Sequence, residues 1–323
     1  MSAEWQILPW HTPQWRQLAQ ALKQQRLAHA WLFSGPTGCG TREFAQVFAA
    51  ALWCRAPAAD VSPCGVCTDC RQVRAMTHPN LHRVQVEEGK RDIPIEAARE
   101  LCQRLAMTSH DGRAQLALID PADALNRNSV NALLKTVEEP PAHSHLLLLA
   151  QRPLALPATL RSRCQQLRFP PPSVEQATSW LRAHAPAGAA VETALSAAHG
   201  APLDALALLN DGGLDRQLAW RKAMLDLAAG RDDPVRAAQA IGEEQAPAFL
   251  RWFFATLANL LRLRTVGGED ADLERLARAL PVSAAAALAD ELIGDLRRLE
   301  SNARPLWLLE SLLIRWQDLL ARR

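Results

Sequence analysis

Residues 31–42 read Trp-Leu-Phe-Ser-Gly-Pro-Thr-Gly-Cys-Gly-Thr-Arg. The apolar beginning predicts a short buried strand, and the glycines after it predict a turn whose backbone N–H groups face an anion. Those glycines are Gly35, Gly38 and Gly40. In a Walker A loop the last glycine precedes a lysine, which reaches phosphate, and a serine or threonine, whose hydroxyl binds Mg²⁺. Thr41 and Arg42 stand in those positions, so the scaffold lacks its reactive groups.

The segments around this loop alternate between strand and helix patterns. Further short strands are predicted at 81–86, 115–120, 145–150 and 165–169. Helices are predicted at 11–27, 42–54, 94–105 and 126–138. Such alternation favours a parallel sheet with helices on both faces. Functional residues of these sheets lie at the carboxyl ends of strands, where we expect both the glycine loop and Asp120.

The second half of the sequence has no strand pattern. The run Phe169-Pro-Pro-Pro172 ends the last strand, and a capping box at Ser173–Gln176 begins the first of several helices. We therefore predict an α/β protein whose parallel sheet is followed by a small helical lid and an all-α C-terminal bundle. The predicted domains are a sheet domain over 1–169, a lid over 170–211 and an oligomerisation bundle over 212–323.

Composition limits the functional classes. The chain has 323 residues and a net charge of only +2, so it is no strong polyanion binder as a whole. No apolar run approaches the roughly 20 residues needed to cross a bilayer, and the N-terminus lacks the order of a signal peptide. We therefore expect a cytoplasmic protein with no membrane partner. In that compartment clustered cysteines favour metal binding over disulfides.

Four of the seven cysteines form a cluster in an insertion at 54–70. They are Cys54, Cys64, Cys67 and Cys70. Four thiolates at this spacing can close one tetrahedral Zn²⁺ site, and no position stays open for water, which favours a structural role. The alternative is a set of buried or redox-active thiols. The remaining cysteines, Cys39, Cys102 and Cys164, are predicted to be ordinary core or loop residues.

Two further residues admit two interpretations each. Asp120 ends an apolar strand where a Walker B aspartate would hold Mg²⁺, and Pro121 replaces the glutamate that would orient water. Alternatively, Asp120 and Asp123 only cap the next helix. Arg42 either fills the anion pocket with its guanidinium or is a solvated residue at a helix start.

Arg163 lies in the tripeptide Ser162-Arg163-Cys164, which follows a short predicted helix after Pro157. An arginine in such a place is commonly a surface ion-pair partner. Alternatively, it enters the ATP site of a neighbouring subunit and neutralises charge on the γ-phosphate, as arginine fingers do.

These features occur in an order that resembles the delta-prime subunits of bacterial DNA polymerase III clamp loaders, a family of the AAA+ superfamily. The resemblance rests on residues 162–164, the run Asn131-Ala-Leu-Leu-Lys-Thr-Val-Glu-Glu-Pro-Pro141, the four-cysteine insertion and the altered glycine loop. It implies a non-hydrolysing subunit of a DNA polymerase holoenzyme, without intrinsic ATPase activity or productive ATP binding. Arg163 would act as an arginine finger in trans, and the four clustered cysteines would bind structural Zn²⁺.

The resemblance also implies partners. They are the gamma/tau and delta subunits, the sliding clamp indirectly, and the backbone of primer–template DNA through the complex at the replisome. One alternative is an active ATPase subunit similar to gamma/tau, which predicts ATP turnover by the isolated chain through Thr41 and Arg42. The other is a zinc-dependent nucleic-acid-binding module, which predicts strong metal-dependent DNA binding without partners.

Overall fold

The computed structural model describes residues 7–87, 90–107, 109, 111–267, 270–299 and 303–321. The strands are β1 (Ala30–Ser34), β2 (Leu81–Val84), β3 (Gln115–Ile119), β4 (Ser144–Ala150) and β5 (Gln165–Arg168). The helices among and before them are α1 (Thr12–Lys23), α2 (Thr41–Trp53), α3 (Thr68–Arg74), α4 (Ile95–Ala106), α5 (Arg127–Glu138) and α6 (Ala158–Arg161). The later helices are α7 (Val174–His184), α8 (Val191–Ala197), α9 (Pro202–Asn210), α10 (Gly213–Ala228), α11 (Pro234–Ile241), α12 (Ala246–Val266), α13 (Ala271–Ala279), α14 (Val282–Leu299) and α15 (Pro305–Ala321).

The five strands form one parallel sheet in the order β2-β3-β4-β1-β5. Helices cover both faces, because alternate side chains of each central strand enter separate apolar cores. In β1, for example, Trp31 and Phe33 pack in one core while Ala30 and Leu32 pack in the other. This confirms the predicted α/β architecture, with a parallel sheet, flanking helices and a helical C-terminal part. It also places the ends of β1 and β3 at the same edge of the sheet.

Two predicted elements end two or more residues earlier than expected. The first helix stops at Lys23 instead of continuing to residue 27, because Gln25 takes a left-handed φ of 53° and Arg26 N–H bonds back to the Ala21 carbonyl. The strand β2 stops at Val84 instead of residue 86. Val84 pairs with Ile119, the last residue of β3, so the ladder has no further partner there.

The chain divides into two compact units. The first holds the described residues up to Ala185 together with Gly200–Leu206, and the second holds Pro186–His199 and the described residues from Ala207 onward. The second unit is helical, with a core that includes Phe253 against Trp316. The predicted division into three domains, with boundaries at 169/170 and 211/212, stays a prediction. Among the described helices, none is both long and apolar enough to cross a membrane.

Candidate functional site

The glycine loop connects β1 to α2 and opens into a cavity of about 260 Å³ in the first compact unit. All the predicted loop residues line it, together with the end of β3: Gly35, Gly38, Gly40, Thr41, Arg42 and Asp120. Gly38 and Gly40 have φ values of 66° and 94°, which side chains rarely adopt. A methyl group on either would also overlap with the Asp204 carboxylate or the Leu8 side chain. The loop therefore requires its glycines for conformation and for space.

The loop is held through two consecutive carbonyl groups. The N–H of Leu203 in α9 donates to the Gly38 carbonyl at 2.9 Å. The indole N–H of Trp10 donates to the Cys39 carbonyl at 2.8 Å, and its ring meets Trp180 of α7 edge to face. Asp204, next to Leu203, also lines the cavity, and burial raises the pKa of its carboxyl group. Segments before and after the sheet thus fix the loop in one conformation.

Arg42 forms a bidentate ion pair with Asp120. Its Nε donates to Oδ2 at 2.5 Å and its Nη2 to Oδ1 at 3.1 Å. Asp120 is only 6% exposed, and the Nη2 of Arg83 lies 4.0 Å from the same Oδ2. The hydrogen bond to Asp120 raises the pKa of the Arg42 guanidinium. Arg42 is the second residue of α2 and its side chain is 55% exposed, so it is a solvated residue at a helix start that also forms an ion pair. Its filling of an anion pocket stays a prediction.

Neither aspartate caps the helix that follows β3. The cap of α5 is Asn126, whose side chain accepts the N–H of Ser129 at 2.9 Å. Asp123 instead accepts hydrogen bonds from the backbone of Gln151 and the side chain of Arg152, both at 3.2 Å. The helix-capping interpretation is therefore wrong, because an asparagine nearer to α5 already provides the cap.

The hydroxyl of Thr41 faces the protein interior. Its Oγ1 is buried without a hydrogen-bond partner, and it lies beside Gly35, where a Cβ would come within 2.6 Å of it. His11 lies on another side of the loop, fully buried among aromatic rings such as Phe44 and Phe169, and neither of its ring nitrogens has a partner. Burial lowers the pKa of His11 to about 4.

The four clustered cysteines meet as predicted. One sulfur from each of Cys54, Cys64, Cys67 and Cys70 lies within 4.8 Å of all the others. Cys54 follows α2, Cys67 caps α3 and Cys70 lies within that helix. Backbone N–H groups donate to three of the sulfurs at 3.2–3.5 Å, and bonds from the backbone of Val66 and Cys67 lower the pKa of Cys64 to about 6. Sulfurs this close, with N–H donors that favour thiolates, could hold one metal ion.

A buried carboxylate attaches this insertion to the sheet domain. Asp69, beside Cys70, accepts hydrogen bonds from Arg55 at 2.8 Å and Arg113 at 3.1 Å, and contacts His78 at 3.3 Å. Although burial opposes it, the bonds from Arg113 and Arg55 lower the pKa of Asp69 to about 2. The ring of His78 in turn stacks on Trp53, with centroids 4.0 Å apart. Sequence spacing gave no sign of this network, since its members come from separate elements.

Arg163 lies in the turn between α6 and β5 and is 40% exposed. Its Nη1 donates to the Thr159 carbonyl at 2.8 Å, and its Nη2 lies 2.6 Å from Oε1 of Glu138. The predicted surface ion pair is therefore present in this chain. The action of Arg163 on a neighbouring subunit stays a prediction.

Comparison with known proteins gives consistent matches. A family model described as "DNA polymerase III, delta subunit" matches residues 10–173. The chain is 30% identical to DNA polymerase III subunit delta' of Pseudomonas aeruginosa over 97% of its own length and 98% of that protein. It is 32% identical to subunit delta' of Escherichia coli, over 79% of this chain and 76% of that protein. With DNA polymerase III subunit tau of Salmonella typhimurium it shares 37% identity over 59% of this chain and 30% of tau.

Proposed function

Because this chain belongs to the family of DNA polymerase III delta' subunits, we propose that it is a non-hydrolysing member of a clamp loader. In this role it lends Arg163 to the ATP site of a neighbouring subunit, and the complex places a sliding clamp on primed DNA. The proposal has three parts: a glycine loop that does not turn over ATP, a structural metal site and an arginine that acts in trans.

The ion pair between Arg42 and Asp120 carries the first part. A Walker B aspartate acts through a carboxylate that is free to join the shell of a Mg²⁺ ion. Here a guanidinium engages both oxygens of Asp120 at 2.5 and 3.1 Å. Bidentate charge-assisted bonds of this kind are among the stronger polar contacts in proteins. A metal ion would have to displace a cation that is covalently part of the chain.

Three more features of the pocket support the absence of productive ATP binding. The Thr41 hydroxyl is buried beside Gly35 and away from solvent, so it is poorly placed as a metal ligand. The Asp204 carboxylate lies against Gly38, where it would repel phosphate oxygens. Pro121 follows Asp120 and has no group that could orient a water molecule. The degenerate loop therefore serves as a fixed part of the fold.

We further propose that the four-cysteine cluster binds structural Zn²⁺. The donor set is sulfur only, and the mutual distances of up to 4.8 Å allow all four sulfurs to approach one ion. Zinc with four thiolates is coordinatively closed, so it would stabilise the insertion and leave no position for a reactive water. The Asp69 network would keep the loaded insertion against the sheet.

The proposed partners follow from the family. They are the gamma/tau and delta subunits, with the clamp and the DNA backbone reached through the complex. The predicted division at 1–169, 170–211 and 212–323 assigns the ATP-site contacts to the sheet domain and oligomerisation to the last part. Arg163 belongs to the first of these and lies at the surface, as contact with a neighbour requires.

The decisive experiment is reconstitution of the clamp loader with Arg163→Ala. We expect at least a tenfold fall in DNA-stimulated ATP turnover with assembly intact, since arginine fingers contribute on the order of 10³–10⁵-fold where they have been measured. Arg104→Ala is the matched control, because it removes an exposed arginine from an ion pair with Glu100 in α4, outside the part assigned to oligomerisation. Normal turnover in the Arg163→Ala complex would refute the finger role.

Two measurements on the purified chain separate the alternatives. Steady ATP turnover without partners would support an active ATPase of the gamma/tau type instead. Tight, zinc-dependent binding of DNA by the chain alone would support a nucleic-acid-binding module. We expect neither.

A further inference from the structure

We propose that Glu138 is a positioning residue for Arg163, fixing the guanidinium in the orientation from which it reaches a neighbouring subunit's nucleotide. The inference rests on the finger role proposed above. It gives a role to one carboxylate in the run Glu138-Glu139-Pro140-Pro141, for which the sequence alone indicates no individual role.

The contacts of Arg163 define both the direction of its side chain and the plane of its guanidinium. Oε1 of Glu138, the last residue of α5, lies 2.6 Å from Nη2. The carbonyl of Thr159, in α6, accepts from Nη1 at 2.8 Å. The hydrogen bond to Nη1 and the ion-pair contact at Nη2 together restrict rotation of the planar group. A guanidinium has five N–H donors, and the one hydrogen bond leaves four of them for phosphate oxygens.

Orientation matters because Arg163 is partly in solvent. A free arginine side chain has many rotamers, and it loses that freedom when it engages a phosphate. A group that is already held contributes more to the transition state, because little reorganisation remains to be done at the moment of reaction. Glu138 restrains the guanidinium from a different helix, α5, whereas Thr159 belongs to the same turn as Arg163. The ion pair with Glu138 therefore fixes the guanidinium relative to another element of the fold.

The adjacent residue provides a matched control. Glu139 carries the same charge one position later, is exposed like Glu138, and stands at the C-cap of α5. Arg163 is paired with Glu138 and not with Glu139. Removal of either carboxylate changes the net charge equally, so only a specific contact distinguishes the two substitutions.

The test measures kcat and KM for ATP in DNA-stimulated turnover by the reconstituted complex. With Glu138→Ala we expect a fall in kcat of about two- to fivefold, the range for loss of a partly exposed ion pair, and an unchanged KM. Glu138→Gln keeps an acceptor oxygen and should lose less. Glu139→Ala should leave both constants unchanged. In the Arg163→Ala background, Glu138→Ala should cause no additional loss, because the two residues act through one interaction.

Each other outcome has a definite meaning. An equal fall in both backgrounds would show a general structural effect and overturn the positioning role. A rise in kcat with Glu138→Ala would overturn it too, since Glu138 would then restrain the arginine. If Arg163→Ala lowers turnover but Glu138→Ala does not, only the positioning role fails. If Arg163→Ala itself has no effect, the proposed finger function fails.

Discussion

The glycine-loop pocket and the cysteine cluster balance negative charge in opposite ways. In the pocket, the carboxylate of Asp120 is paired with a guanidinium that the chain itself supplies, at 2.5 Å. In the cluster, four thiols lie within 4.8 Å of one another, and the hydrogen bonds donated to three of the sulfurs come from backbone N–H groups. The first site carries its cation in the sequence, whereas the second has a sulfur donor set that could hold a metal ion. The comparison predicts that the two sites respond differently to metal, acid and substitution.

The largest effect is expected at the cysteine cluster. Cys67→Ser combined with Cys70→Ser should reduce bound zinc from near one per chain to near zero, as measured by elemental analysis. The free energy of unfolding should fall on the order of several kcal/mol, since the binding energy of a structural metal contributes to folding. Cys102→Ser, outside the cluster, should retain the metal. Full zinc content in the double variant would show that Cys67 and Cys70 do not bind the metal. It would then contradict the proposed difference between the two sites.

Acid should lower the free energy of unfolding through His11, a buried histidine beside the glycine loop. His11 has a folded-state pKa of about 4 because it is buried, against an ordinary value of 6.5. As the pH falls from about 6.5 to 4, the unfolded chain binds a proton that the folded chain does not. The free energy of unfolding should therefore fall by up to about 3 kcal/mol across this window.

Variants can isolate this contribution. His11→Phe should reduce the acid-induced slope in urea unfolding experiments between pH 4 and 6.5. His199, half-buried in the second unit with both ring nitrogens out of solvent, has a pKa lowered by burial to about 4 and should keep its own contribution to the slope. His184→Phe, at an exposed position, is the control and should leave the slope as it is. An unchanged slope in His11→Phe would mean that His11 is protonated in the folded protein.

The smallest effect is expected from breaking the ion pair in the pocket. Arg42→Ala should lower the free energy of unfolding by about 1–3 kcal/mol, because it leaves the nearly buried Asp120 without its main partner. Arg83, at 4.0 Å, limits the loss. Added Mg²⁺ should recover part of the stability in this variant and none in the natural chain. Equal responses to Mg²⁺ in both proteins would contradict the view that Arg42 takes the place of a metal ion.

The sequence predicted the features that arise within short segments and missed those that join distant ones. The glycine turn and the cysteine cluster depend on local spacing, and the structure brings their members together as expected. The partner of Arg42 lies 78 residues away and is brought near only because β4 alone separates β1 from β3. The contact of Leu203 with the loop depends in the same way on how a later helix folds back. Periodicity and motifs contain no information about such pairings.

The end of the first helix shows the same limit on a smaller scale. Apolar spacing predicted that the helix extends to residue 27. The helix ends at Lys23, because Gln25 adopts a left-handed conformation. Glutamine is not a residue whose intrinsic preference signals that conformation. The helix end is instead closed by backbone hydrogen bonds, from Gln25 to Leu22 and from Arg26 to Ala21, which apolar spacing does not indicate.

The pairing of Arg42 with Asp120 also affects which sequence changes the chain can accept. Conversion to the Walker A pattern would require a lysine at position 41 and a serine or threonine at position 42. A lysine introduced alone would place a second positive charge beside the guanidinium, and a threonine introduced alone at 42 would leave Asp120 without its neutralising partner. We expect either single variant to be less stable than the present sequence. The ion pair therefore opposes a stepwise conversion of this loop into a Walker A loop.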